Sequence, residues 1–431
     1  MKAWKPSRTG GAPFHPGAGR WALVLCLLAG LGFACSKDPS VADNPHRQHY
    51  LDATRKLFSK PLPQPILQAG FTAADRNRHP DLLLLADQGA KGKAVFVYFN
   101  RPTEGKLEQT GEPQTVAEAG EEVLHLATAD FDRDHADDVI LILKTGQGMR
   151  VKILFNNGKA YYYEKIKYAL PPVRAGVTRV DLLDVDDDRD VDLLFSGPLL
   201  RHGDGRTDEH QAQLFINNGL GEFRDFSRLL LPPAPPGISG VSYADYDGDR
   251  IPDLFVMYGN GQNRMFLNNG LGKFTDATRR SLPAIADETV SADWADFDQD
   301  EDNDLLVVNR RLLNSATSSG ETSYFLENNG RGEFSKRSYP GLPALPALNV
   351  YLLDANGDTM ADALILNGEG VLYLQGKGKW RFSNETLRRL PRFHRFQELV
   401  FADVDRDHFL DLFGIENGPR RRGLLWLNRI D

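Results

Sequence analysis

The stretch Tyr243 to Leu254 reads YADYDGDRIPDL, and it sets four aspartates, Asp245, Asp247, Asp249 and Asp253, at one fixed spacing. The same unit, Asp-x-Asp-x-Asp-x-x-x-Asp followed by a strongly apolar run, occurs at Asp130-Asp132-Asp134-Asp138 and Asp184-Asp186-Asp188-Asp192. It returns at Asp296-Asp298-Asp300-Asp304, Asp354-Asn356-Asp358-Asp362 and Asp403-Asp405-Asp407-Asp411. A degenerate copy, with Ala73, Asp75, Asn77 and Asp81, precedes them, and the last acidic positions lie 57, 54, 61, 51, 58 and 49 residues apart. Each loop runs into a segment such as DLLLLAD, DVILILK or DLFVMYG. Segments this apolar suit strands buried on both faces. A third strand and a glycine turn follow, as in Phe266 to Phe274, FLNNGLGKF. Asn-Gly and Gly-x-Gly are hairpin signals because these turns need positive φ. A fourth strand then ends in a Pro-containing connector. Four antiparallel strands about every 50 residues is the period of a propeller blade. The chain is therefore expected to be all-β, a seven-bladed β-propeller of four-stranded antiparallel blades over residues 48–431.

The ends of the repeat array support the same ring. The last unit reaches a third strand, Leu424 to Asn428, without a fourth. Tyr50 to Pro63, YLDATRKLFSKPLP, matches Phe274 to Pro283, FTDATRRSLP, and less closely Phe223 to Pro232. Residues 50–57 are expected to supply the outer strand of the last blade, which removes open sheet edges.

Side chains at alternate positions of a tight loop converge, so three or four carboxylates crowd together and repel. A hard divalent cation resolves the conflict. Calcium takes 6–8 oxygen ligands with flexible geometry, and the first three acidic positions have EF-hand spacing; magnesium is the second choice. Six full copies supply 23 Asp and one Asn, so about six calcium sites are expected. The competing reading is that these are Asx-turn residues. Zinc and copper are disfavoured because no Cys or His stands at ligand spacing. Only Gly248 and Gly357 occupy the fourth loop position, where glycine suits the turn, which implies weaker sites elsewhere.

These loops and hairpins resemble the FG-GAP/VCBS repeat family, the calcium-loop propellers that include the integrin α-subunit head. The resemblance covers residues 50–431 and implies that fold, with calcium held by the matched aspartates. It implies less about activity, since such propellers include adhesins, lectin-like modules and a few lyases or phospholipases.

The first 34 residues read as a signal peptide. Lys2, Lys5, Arg8 and Arg20 precede the apolar run Trp21 to Phe33, which is too short to span a bilayer. Gly32-Phe33-Ala34-Cys35 resembles a bacterial lipobox, which implies lipidation of Cys35 and, with Ser36 next, an outer-membrane address. Residues 35–47 form a polar tether. Apart from Cys26 and Cys35 the chain has no cysteine, so the body has no disulfide.

In an up-and-down blade the acidic loops and the NNG hairpins share one face of the disc. Recognition is expected on the other face, which carries the long loops at 196–213 and 309–324. That face would gather Lys91, Lys93, Arg150, Arg201, Arg206, Arg264, Arg310, Arg311, Arg420, Arg421 and Arg422, with the connector Arg388 to Arg395. Such a surface suits an acidic glycan or an envelope protein. The net charge of −8 argues against general nucleic-acid binding. Serine-hydrolase, zinc-protease and phosphate-loop motifs are missing. His202 and His210, beside Asp204, Asp208 and Glu209, are the best candidates for acid–base chemistry, although a polar loop explains them as well. The expectation is a monomeric, non-catalytic binding module. The alternatives are a calcium-dependent enzyme on polysaccharide or lipid and a purely structural envelope protein.

Overall fold

The computed structural model describes residues 48–431 except 78, 102, 110, 166–169, 202–204, 206–208, 311–322, 338, 340, 341, 343–345, 392, 393 and 431. The leader, the tether, Cys35, and the expectations placed on His202, Asp204, Arg206, Asp208 and Arg311 lie outside the described residues.

Seven antiparallel sheets of four or five strands follow one another along the chain and close into a ring, and a two-stranded ribbon, Gly261–Gln262 with Ala286–Asp287, lies between blades 4 and 5. Blade 4 shows the plan. Strand a, Ile238–Ala244, is joined by its acidic loop to strand b, Asp253–Tyr258; strand c, Arg264–Asn268, and strand d, Phe274–Asp276, follow. Strand b is buried at every position, as its unbroken apolar run requires of a central strand packed on both faces. Blade 1 departs from the plan, because Gln114–Ala117 adds a further pairing on its strand c, Lys93–Arg101.

The core lies between blades. Phe297, Leu306 and Phe325 of blade 5 cluster with Val350, Ile365 and Leu374 of blade 6, and the other apolar clusters likewise join neighbouring blades. Fully burying one such Leu, Ile or Phe side chain contributes about 1.5–3 kcal/mol, so every blade depends on its neighbours. The inner strands add polar stitches. The His125 Nδ1 accepts from the Val180 N–H at 3.0 Å, and the Ser239 hydroxyl donates to the Thr289 carbonyl at 2.8 Å. Asp293 accepts from the Leu352 N–H at 2.8 Å.

The ring closes where the sequence indicates, with one correction. Gln48–Asp52 pairs antiparallel with Gly423–Ile430 as the outer strand of blade 7, with Tyr50 opposite Asn428 and Asp52 opposite Trp426. The strand ends at Asp52, and Thr54–Leu57 forms a helical turn. The Asp-Ala-Thr sequence explains the break. Asp52 accepts the Thr54 N–H at 3.0 Å, an Asx turn that ends the strand, and the Thr54 hydroxyl accepts the Leu425 N–H at 2.8 Å. Asp276 and Thr278 repeat both bonds in blade 4, at 3.0 and 3.1 Å. The shared DATR motif is therefore a strand stop, and that is what the two segments have in common.

Candidate functional site

The a–b loops and the c–d hairpins gather on one face, as the strand order dictates. In each full acidic loop the fourth and sixth residues adopt positive φ: Arg133 and His135 at 60° and 68°, Gln299 and Glu301 at 69° and 75°, Arg406 and His408 at 65° and 71°. Long side chains thus hold the left-handed conformation expected of glycine, an uncommon backbone state for such residues.

Hydrogen bonds mould the loop. The first-position Asp bridges the turn: Asp245 accepts the Gly248 N–H at 2.8 Å and the Arg250 N–H at 2.7 Å. The fifth-position Asp249 accepts the Ile251 N–H at 2.8 Å. The third-position carboxylates differ, since the Oδ1 atoms of Asp132, Asp186, Asp247, Asp298 and Asp405 are buried and receive no hydrogen bond. A buried carboxylate oxygen without a donor is costly. Burial, then the neighbouring carboxylates, holds the Asp186 carboxyl above the usual range, and Asp247 is raised in the same sense, again by burial first.

These oxygens converge. Among the described residues, Asp130, Asp132 and Asp138 bring carboxylate oxygens within 4.8 Å of one another. So do Asp184, Asp186 and Asp192; Asp245, Asp247 and Asp249; Asp296, Asp298 and Asp300; and Asp403, Asp405 and Asp411. The sixth loop offers Asp354, Asn356, Asp358 and Asp362, with the Asn356 amide donating to Asp358 at 2.9 Å. An all-oxygen set with unsatisfied buried atoms fits a hard cation such as calcium.

The ninth-position aspartates have a second role that the spacing did not disclose. Asp253 is fully buried, its Oδ1 accepting the Asn268 N–H at 2.7 Å and its Oδ2 the Tyr246 N–H at 3.4 Å. The same pair of bonds recurs at Asp81, Asp138, Asp192, Asp304, Asp362 and Asp411. Each carboxylate oxygen has two lone pairs, so this locking does not consume its capacity to coordinate. Blade 1 separates the two roles. It keeps Asp81 and its locks, yet Ala73 stands at its first position, and the Arg101 guanidinium lies 3.1 Å from Asp75. Other protein cations also reach the loops: Lys165 contacts Asp132, and Arg429 lies 2.5 Å from Asp405 and 3.4 Å from Asp407.

Sequence reasoning also missed a joint between blades. The Asn at the end of strand c, the first Asn of the NNG hairpin in blades 2 to 5, reads as a turn residue, but its amide donates to a carbonyl in the preceding blade's acidic loop. Asn100 reaches Val404 at 2.7 Å, Asn156 reaches Ala74 at 2.9 Å, and Asn217 reaches Phe131 at 3.0 Å. Asn268 reaches Val185 at 2.9 Å, Asn328 reaches Tyr246 at 2.8 Å, and Asn428 reaches Ala355 at 2.6 Å. Blade 6 has Gly376 at this register, and the Trp380 N–H serves the Phe297 carbonyl at 3.2 Å instead. All seven junctions are bridged. The signal was an Asn at one register in six of the seven units. Replacing Asn268 by Ala strands buried carbonyls and should cost about 1–3 kcal/mol by urea titration. The exposed neighbour Asn269→Ala should cost clearly less.

On the opposite face, ion pairs temper the expected basic character. Arg150 lies 2.9 Å from Glu121, Arg264 lies 2.8 Å from Asp276, and Arg422 lies 2.6 Å from Glu416. Lys93 lies 3.8 Å from Asp87. Lys91, Arg201, Arg310, Arg395 and Arg420 are exposed, and Arg421 is half-buried. Lys91, Arg395, Arg420 and Arg421 fall on the adjacent blades 7 and 1. His210 is buried, unlike a residue on an open polar loop, and its carbonyl accepts from Arg174. Among the described residues no helix is long and apolar enough to cross a membrane.

The fold and this face define the class: a seven-bladed β-propeller whose blades carry acidic a–b loops. An FG-GAP-like repeat model matches residues 203–256 and 245–307, so FG-GAP-like repeats stand within this seven-bladed propeller. Cartilage acidic protein 1 of Xenopus tropicalis is 29% identical over 194 residues. That segment is 42% of this chain and 29% of the relative, so the match spans under a third of that protein. The BP39L lectin from Burkholderia pseudomallei superimposes with a TM-score of 0.52 at 11% identity, over 84% of this chain and 94% of the lectin. BBS1N, from its complex with ARL6DN, gives 0.52 at 10% identity, over 89% and 98%. At these identities the two structures establish the fold alone.

Proposed function

We propose that this propeller binds calcium in its acidic loops and serves as a non-catalytic protein- or glycan-binding module at the bacterial cell envelope, anchored through Cys35. The observation that carries the metal reading is the set of five carboxylate clusters whose third-position oxygens are buried without donors. Asp245, Asp247, Asp249 and Asp253, and their counterparts, would hold the ion, which supplies charge neutralisation and locks the loop. The binding reading draws support from the exposed Lys91, Arg395 and Arg420 with Arg421 on the opposite face, which favour an acidic partner. Propellers of the same fold include a lectin and a protein seen in complex with a partner.

Glycan arrays rich in acidic polysaccharides, probed with residues 36–431 in calcium, test the binding reading. Binding without turnover is expected, weakened at least tenfold by Arg420→Glu with Arg421→Glu, a scale set by about 1.4 kcal/mol per tenfold. Cleavage of the bound polymer would instead establish a calcium-dependent enzyme. The absence of both glycan binding and a co-purifying protein would overturn the module reading.

A further inference from the structure

The six full acidic loops share one spacing, yet they differ in the charge that the protein itself supplies. Blade 5 is one extreme. Its seventh loop position holds Asp302, a fifth carboxylate beside Asp296, Asp298, Asp300 and Asp304. The Asp302 N–H donates to the Asp300 Oδ1 at 3.3 Å, and its carboxyl stands against those of Asp300, Asp298 and Asp296. Its Oδ2 is pinned under Gly330 of the hairpin, where a Cβ would lie 3.0 Å away, and its Oδ1 is buried without a donor. Blade 3 shows what a carboxylate in this place can receive. Asp190 occupies the same position, and Arg133, from the fourth position of the blade 2 loop, pairs with it. The blade 4 loop has Gly248 there, so Asp302 has no such arginine. Among the described residues no Lys or Arg pairs with any of the five blade 5 carboxylates. Arg337, whose field reaches Asp298 and Asp304, is held by Glu327 at 2.9 Å, and Arg381 turns its donors to the Lys377 and Gly378 carbonyls.

Blades 2 and 7 are the other extreme. Lys165 contacts Asp132 with its ammonium 3.9 Å from the centre of the Phe155 ring, and Arg76 lies 2.5 Å from Asp134. Asp137 is a fifth carboxylate in blade 2, but it faces blade 1, accepting the Thr72 hydroxyl at 2.9 Å and the Ala73 N–H at 2.7 Å. In blade 7, Arg429 reaches both Asp405 and Asp407. A tethered cation on a ligand carboxylate offsets the charge that would hold an ion, and calcium affinity follows ligand charge. The Oδ1 atoms of Asp132 and Asp405 stay without donors, so these loops are weakened rather than lost. Glycine at the fourth position does not reverse the order, since every full loop already holds a left-handed residue there. From the unmatched Asp302 and the tethered Lys165 and Arg429, we infer that blade 5 holds the tight calcium site of the ring and blades 2 and 7 the weak ones. The ring then fills in stages as calcium rises. This ranking rests on the calcium reading, and its test separates the two.

Metal-free residues 36–431 are titrated with terbium(III), a luminescent calcium surrogate, excited through tryptophan. The Trp380 Nε1–H donates to the Asp298 Oδ2 at 3.0 Å, so this indole reports on the blade 5 loop. Emission should saturate within the first equivalent, reverse on adding calcium, and be lost in Trp380→Phe. Calcium calorimetry then reads the individual steps. Asp302→Asn is expected to weaken the first step about tenfold or more, and Arg429→Gln to tighten one of the weak steps by about tenfold. Blade 4 carries Ile251 at the position of Asp302, so the fold tolerates loss of that carboxylate, and a melting temperature in EDTA no lower than the parent's checks it. First-equivalent emission that survives Trp380→Phe, or a first step that Asp302→Asn leaves unchanged, would overturn the inference. So would weak steps that Arg429→Gln does not move. Six ions of equal affinity would overturn it while leaving the calcium reading intact, and no ion by either readout would overturn both.

Discussion

Residues 36–431 in millimolar calcium are expected to melt more than about 10 °C above the same chain in EDTA, with five or six ions bound. An ion that binds only the folded state stabilises by about 2.7 kcal/mol per site at a hundredfold excess over its Kd. Even a fraction of that sum, at a few degrees per kcal/mol, exceeds the stated shift. The pH dependence separates this from a nonspecific salt effect. Burial raises the carboxyls of Asp192, Asp253, Asp304 and Asp411 from 3.8 to about 8. Without metal, the fold then favours their protonated form. That stabilisation is full below pH 4 and is lost as pH rises through about 8, so melting in EDTA should fall between pH 5 and 8.5. Calcium requires the ionised form, so its increment should grow over the same range. A chain that binds no calcium and melts identically in EDTA would leave the loops as hydrogen-bonded turns.

Removal of residues 36–52 should have the other large effect. It deletes a strand whose Tyr50 is 4% exposed and packs with Tyr351, Tyr373 and Trp426. It also bares the edge of Gly423–Ile430, and an unpaired edge of that length templates association. The truncated chain is expected to elute as aggregate or to lose its cooperative melt, and a peptide of residues 48–58 added in excess should restore part of it. A monomeric truncated chain with an unchanged melt would show that the ring does not need its closing strand.

Blade number, strand order and ring closure were legible because each depends on local pattern. The acidic loops repeat at one spacing, strand b is an unbroken apolar run, and YLDATRKL copies FTDATRRSL. The remaining features were hidden because their partners lie one blade away. The Asn268 amide and the Val185 carbonyl are 83 residues apart, and nothing near either marks the pairing. The ion pairs of Arg264 and Arg422 depend on which strand ends meet. Residues 54–57 share a motif with blade 4 that marks the end of a strand, because Asp52 turns the chain at Thr54.

The pairing of Gln48 with Ile430 sets the first and last strands of the described residues side by side in one sheet. The order of residues along the polypeptide is therefore one cut through a circular arrangement. A chain in which residues 48–52 followed residue 430 through a short linker, with its start moved to another blade, would contain the same seven sheets and the same seven bridged junctions. The architecture is indifferent to where it is opened, and an open repeat array, which must protect two terminal units, has no such freedom.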